Sequence, residues 1–98
     1  MPDRPPEFPA PQRDPRVLDE LLADGSMVLF HTLSRKLMTL NPTAALVWEC
    51  CDGEHTEEAI AAEVQAVFPQ ATGVADDVAA VLGDLRAREM LRLPAASS

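Results

Sequence analysis

The chain has 98 residues, 47% of them apolar, and its 16 acidic against 8 basic side chains give a formal net charge of −8. That is enough material for the core of one small domain, but no apolar run approaches the ~18 residues of a membrane span. The opening Met1-Pro2-Asp3-Arg4-Pro5-Pro6 lacks the apolar stretch of a secretory signal, so the expected location is cytoplasmic, where the adjacent Cys50 and Cys51 stay reduced.

Residues 1 to 15 read as a disordered, proline-rich arm. Pro2, Pro5, Pro6, Pro9, Pro11 and Pro15 remove backbone donors and favour an extended, polyproline-like chain. A solvated arm is one reading of it, and a docking role for Phe8 is the other. Arg16 to Leu22 carries conflicting signals. Asp14-Pro15 resembles an N-cap with proline at the first helical position, and Leu18, Leu21 and Leu22 have helical spacing. Against that stands a strand leading into an Asp24-Gly25 turn, and the local rules favour the helix. Met27 to His31 is a short apolar run with β-branched and aromatic content, which predicts a strand. Leu37 to Leu40 predicts another, and the two form an antiparallel hairpin with Arg35 and Lys36 near its turn.

At Asn41-Pro42 the period changes. The Asn41 side chain can cap a helix whose first turn holds Pro42, and Ala44, Val47, Trp48 and Cys51 form one apolar stripe that ends at Asp52-Gly53. Thr56 caps a second helix, with Glu57 and Glu58 at its positive end and Ile60, Val64, Val67 and Phe68 as its stripe. A third starts near Val74 and buries Val74, Val78, Val81, Leu82 and Leu85. Gly83 interrupts it at a cost of ~1 kcal/mol relative to Ala. The folded domain thus covers residues 16–93, and 94–98 reads as a frayed tail. Strands followed by helices predict an α+β fold, and three helices beside a small sheet also describe a winged helix.

The candidate chemistry is sparse. His31, Cys50, Cys51 and His55 match no usual zinc spacing. Cys51 shares the stripe of Trp48, and both read as core residues. Cys50 has no identifiable base, so neither a catalytic group nor a metal or cofactor is expected. An acyl carrier would need Asp-Ser-Leu at a helix start, whereas Asp24-Gly25-Ser26-Met27 has a glycine between and opens a strand. A winged-helix DNA-binding regulator is the stronger alternative, with Asp52 to His55 joining its two helices. However, Glu49, Asp52, Glu54, Glu57, Glu58 and Glu63 occupy a stretch from Pro42 to Thr72 without Lys or Arg. Phosphate binding needs clustered basic side chains, and the third helix offers Asp76, Asp77 and Asp84 against Arg86 and Arg88. Nucleic acid is therefore not an expected partner.

Taken together, Leu40-Asn41-Pro42-Thr43-Ala44-Ala45, Val47-Trp48-Glu49, Cys51-Asp52-Gly53 and Ile60 resemble the PqqD-like family, as do Asp24-Gly25 before the Met27 strand and Asp77-Val78 with Leu82, Leu85 and Leu91. The resemblance covers about residues 16 to 93 and leaves out the proline-rich arm. It implies a winged-helix-like fold, a three-stranded antiparallel sheet followed by a three-helix bundle. It places the first strand at Arg16 to Leu22, against the local helix signals. The role it implies is non-catalytic recognition of the leader of a ribosomally made precursor peptide. The peptide would then be presented to a modifying enzyme such as a radical S-adenosylmethionine protein, in peptide natural product or PQQ-type cofactor biosynthesis. In such modules the leader adds to the third strand, beside the third helix. Here that designates Arg35, Lys36, Leu37, Met38, Thr39 and Leu40 on the strand side. On the helix side it designates Asp77, Val81, Asp84 and Arg88. The physics agrees, since an extended peptide can satisfy the unpaired backbone groups of a sheet edge whatever its sequence.

Overall fold

Three strands, β1 (Val17–Leu21), β2 (Met27–His31) and β3 (Leu37–Leu40), pair antiparallel in the order β1-β2-β3. Three helices follow: α1 (Pro42–Glu49), α2 (Glu57–Val67) and α3 (Val74–Ala87). This computed structural model describes residues 10–92 and has the expected α+β plan. Residues 1–9, with Phe8, and 93–98, with the expected frayed tail, lie outside the described residues.

The first strand settles the conflict between local signals. Asp14-Pro15 does begin a turn, with Val17 N–H donating to Asp14 O at 3.0 Å, which is why it resembles a helix start. The turn goes no further, because Leu18, Leu21 and their neighbours pair with β2 in the register Val17↔His31 to Leu21↔Met27. Pairing across a sheet outweighs a weak helical preference. Gly25 closes the connection to β2 at φ +92°, while the Asp24 carboxylate accepts from Ser26 N–H at 2.9 Å and from its hydroxyl at 2.6 Å.

The sheet lays one face on the helices. Met27 and Leu29 of β2, Leu40 of β3 and Val17 of β1 are buried there, and Leu29 is completely so. Asn41 caps α1 by accepting from Ala44 N–H at 2.8 Å. Val47, Trp48 and Cys51 then enter the core with Ile60 and Val64 of α2 and Val78, Leu82 and Leu85 of α3. Trp48 is buried as expected, and its indole N–H donates to Asp19 Oδ2 at 2.8 Å, tying α1 to β1. The α2 stripe stops short of its expected length, because Val67 is 55% exposed and Phe68 is half-buried at the C-cap. α3 runs unbroken through Gly83, and a Cβ built there meets nothing within 4 Å. Gly83→Ala is therefore expected to stabilise the protein by ~1 kcal/mol, read as a higher urea midpoint at unchanged slope.

One expectation is corrected by the described part of the arm. Pro11 to Asp14 do not extend into solvent. They lie between the end of α1 and the segment after α3, with bridges Gln12↔Asp52 and Arg13↔Leu91. Gly53 N–H donates to Pro11 O at 2.9 Å, Arg13 N–H to Cys51 O at 2.9 Å, Asp14 N–H to Met90 O at 3.0 Å and Arg92 N–H to Gln12 O at 2.8 Å. Pro11 and Asp14 are buried. The prolines permit this because the arm is used as an extended strand, and the residues between them supply the donors.

Candidate functional site: an open strand edge beside the third helix

Among the described residues β3 has a partner on one side only, β2. Its register with β2 pairs Met27↔Leu40, Val28↔Thr39, Leu29↔Met38 and Phe30↔Leu37. His31 N–H donates to Lys36 O at 2.9 Å, which makes that position a hydrogen-bonded pair. Such pairs alternate in an antiparallel ladder. The backbone groups of Met38 and Leu40 therefore face β2, and those of Leu37 and Thr39 face the open side. The other strand pair agrees with this phase, since Thr32 N–H donates to Arg16 O and Leu22 N–H to Ser26 O, leaving the even-numbered residues of β2 for β1. The side chains sort as cleanly. Leu40 is buried and Met38 half-buried on the inner face, while Leu37 and Thr39 are exposed on the outer one.

α3 packs mainly on α1 and α2. Asp77, Val81, Asp84 and Arg88 fall at helical spacing on one stripe bordering its core line. Val81 is half-buried against the core and the other three are exposed. Asp77 also lies in the first turn of α3, where its charge suits the helix dipole. Arg35 is exposed in the turn before β3 at φ +67°, with its N–H on His31 O at 2.7 Å. Lys36 reaches Glu89, just past α3, with 3.7 Å between Nζ and Oε1. This ion pair joins the start of β3 to the end of α3, whereas Arg88 caps the helix and is not part of it.

Of the residues weighed for metal or nucleophilic chemistry, Cys50, Cys51 and His55 are committed elsewhere. Burial pushes the Cys51 thiol up to about 12, and its Sγ–H donates to Val47 O at 3.2 Å. Burial also raises Cys50, helped by the carboxylates of Glu63, Asp52 and Glu49. Both remain protonated near neutrality, and thiolate is the form that attacks or ligates. Backbone donation from Glu54 N–H, followed by the His55 ring, holds the Asp52 carboxyl below the usual range; the same side-chain bond raises His55.

A second feature adjoins the Lys36 end of the edge, and it was not singled out from the sequence. A cavity of about 760 Å³ opens between Asp14, Arg16, His31 and the end of α3, where Arg86, Glu89 and Arg92 contribute. Hydrogen bonds from Arg16, side chain first, lower the Asp14 carboxyl to about 2. The parity of β2 could have found His31, since it puts that side chain on the inner face with Leu29. The rest depends on long-range pairing of the arm.

Residues 26–91 match the model of the family described as Coenzyme PQQ synthesis protein D (PqqD). The chain belongs to the PqqD family. This PqqD-family chain is 39% identical over 71 residues to the PqqA binding protein of Kluyvera intermedia, covering 72% of itself and 74% of that relative. Its fold matches that of TbiB1, solved in complex with the TbiA(beta) leader peptide, with a TM-score of 0.72. The match covers 87% of this PqqD-family chain and 99% of TbiB1 at 20% identity.

Proposed function

We propose that this PqqD-family protein binds the leader of a ribosomally made precursor peptide and presents it to a separate modifying enzyme, of the radical S-adenosylmethionine type or another. The observation that carries this reading is the edge of β3 left unpaired among the described residues, with the backbone groups of Leu37 and Thr39 turned outward and the end of α3 joined to its start by the Lys36–Glu89 pair. An extended peptide satisfies those groups by adding as a fourth strand. Met38 and Val81, half-buried at the core's margin, supply apolar contact. Arg35, Lys36, Leu37, Thr39 and Leu40 belong to the strand side of the groove, and Asp77, Asp84 and Arg88 to the helix side. A family of this kind, a relative described as a PqqA binding protein and a fold seen holding a leader peptide support the same reading. The protein acts by positioning rather than by catalysis, with its thiols buried and protonated.

The test is hydrogen exchange with a candidate precursor peptide, the PqqA-type leader recognised by the relative described as a PqqA binding protein serving as the first probe. The amides of Leu37 and Thr39 are expected to gain protection on binding, while those of Met38 and Leu40, already paired to β2, change little. Binding without added protection at Leu37 and Thr39 would place the peptide elsewhere. Duplex DNA separates the winged-helix alternative. At physiological salt no binding is expected, and a gel shift that weakens steeply with salt would favour a DNA role.

A further inference from the structure

His31 is only 3% exposed, yet one of its ring nitrogens is unspent. Nδ1 accepts from Leu33 N–H at 3.2 Å and from Ser34 N–H at 3.1 Å. Two backbone donors on Nδ1 put the proton of the neutral ring on Nε2. No hydrogen bond engages Nε2 among the described residues, and His31 lines the 760 Å³ cavity at the end of the β3 edge. No buried side-chain nitrogen lacks a partner among the described residues, so Nε2 opens to the solvent of this cavity, and its N–H is available there to a ligand acceptor.

The charges around it point to what that acceptor is. Of the two carboxylates in the wall, Asp14 is spent on Arg16, whose Nε and Nη2 lie 3.0 and 2.8 Å from its two oxygens. Glu89 is shared between Lys36, 3.7 Å away, and the field of Arg16, which leaves both wall carboxylates with a cation beside them. Arg86 and Arg92 form no ion pair among the described residues. Two uncommitted guanidinium groups and one N–H donor therefore share a concave site, on a chain whose formal charge is −8. Guanidinium groups recognise carboxylates through paired, charge-assisted hydrogen bonds.

We infer that this cavity is a specificity pocket for an acidic side chain, glutamate or aspartate, carried by the bound peptide just beyond the segment that pairs with β3. The inference rests on the peptide-binding reading and adds to it. The strand edge holds any extended backbone, and the pocket selects among sequences by charge. Glu89 and Lys36 stand between the two, so one peptide can occupy both.

The experiment uses the full chain and short synthetic probes. Acetyl-(Glu)3-amide is titrated while the ring nitrogens of His31 and the amides of Leu33, Ser34 and Arg92 are followed by NMR. Acetyl-(Gln)3-amide, acetate and inorganic phosphate are the comparison arms. The glutamate peptide is expected to shift the His31 Nε2–H and the Arg92 amide, and the glutamine peptide to leave them in place. Arg86→Gln together with Arg92→Gln is expected to weaken the glutamate peptide about ten-fold. Each single change gives part of that, and all keep the parent's other resonances. Equal responses to glutamate and glutamine would overturn the inference. So would an unchanged affinity in the double variant, or phosphate and acetate binding as tightly as the peptide. Those results leave the edge reading standing, because protection of Leu37 and Thr39 by the precursor is measured independently of the pocket.

Discussion

Thr39→Pro is expected to abolish peptide binding and leave the fold standing, whereas Met38→Pro is expected to unfold the protein. The two positions are adjacent, and the substitution is the same. What differs is the direction of the deleted donor, since neighbouring residues of a strand point their backbone groups to opposite sides. The Thr39 N–H faces the open edge and has no ladder partner to lose, and its side chain is exposed on the outer face. Proline is tolerated on an edge strand when its missing donor would have faced solvent. The melting temperature should therefore move by only a few degrees. A fourth strand, however, loses a ladder bond and meets the proline ring. Met38 faces β2 opposite Leu29, in the middle of the sheet's inner face. Proline there removes an internal bond and half-buried side-chain packing at a cost of ~3 kcal/mol or more, a large share of the stability of a small domain. Titration of the precursor peptide and a melting curve on each variant decide the matter. Tight binding by a folded Thr39→Pro protein would remove the β3 edge from the site. Val81→Glu is the companion on the helix side. It places a charge at the core's margin and should weaken the same peptide, with some loss of stability.

The places where sequence was readable and where it was not follow from the range of the interactions. The helices were legible because their signals are local. Asn41 and Thr56 accept from Ala44 and Ala59 three residues on, and the stripes through Trp48, Ile60 and Val78 repeat within a few turns. Val67 broke the pattern because helical spacing continues past the point where a neighbour stops covering it. β1 carried local signals for the wrong element, and its true partner lies across a turn. The candidate edge at Leu37 to Leu40 was legible as a strand, but which of its donors were free required the register. Pro11 to Asp14 read as an arm because nothing local says that Asp52, Met90 and Leu91 will meet it. The cavity lined by His31, Arg86 and Arg92 exists only after that meeting.

Asp14 provides the second large expected effect, and it tests whether the short segment before β1 belongs to the domain. Its side chain is 6% exposed and accepts from Arg16 N–H at 2.8 Å as well as from the guanidinium. Its backbone N–H is fixed by Met90 O. Folding moves this carboxyl from 3.8 to about 2. A group whose pKa falls on folding stabilises the native state at pH values above its unfolded pKa, and that contribution is lost as pH falls through the folded value. The shift corresponds to at most ~2.5 kcal/mol at neutral pH, less what solvent screening removes on the Arg16 side, which is 55% exposed. Asp14→Asn should therefore destabilise the protein by ~1–2 kcal/mol at pH 7, and the gap to the parent should narrow as pH falls from about 4 to about 2. Arg16→Gln should cost at least as much at pH 7, since it leaves a buried carboxylate without its cation. Urea midpoints of both variants across that acid range are the measurement. If the Asp14→Asn deficit is the same at pH 2 as at pH 7, the ion pair is not its source. If there is no deficit at either pH, Asp14 lies outside the cooperative unit, and the domain begins at β1.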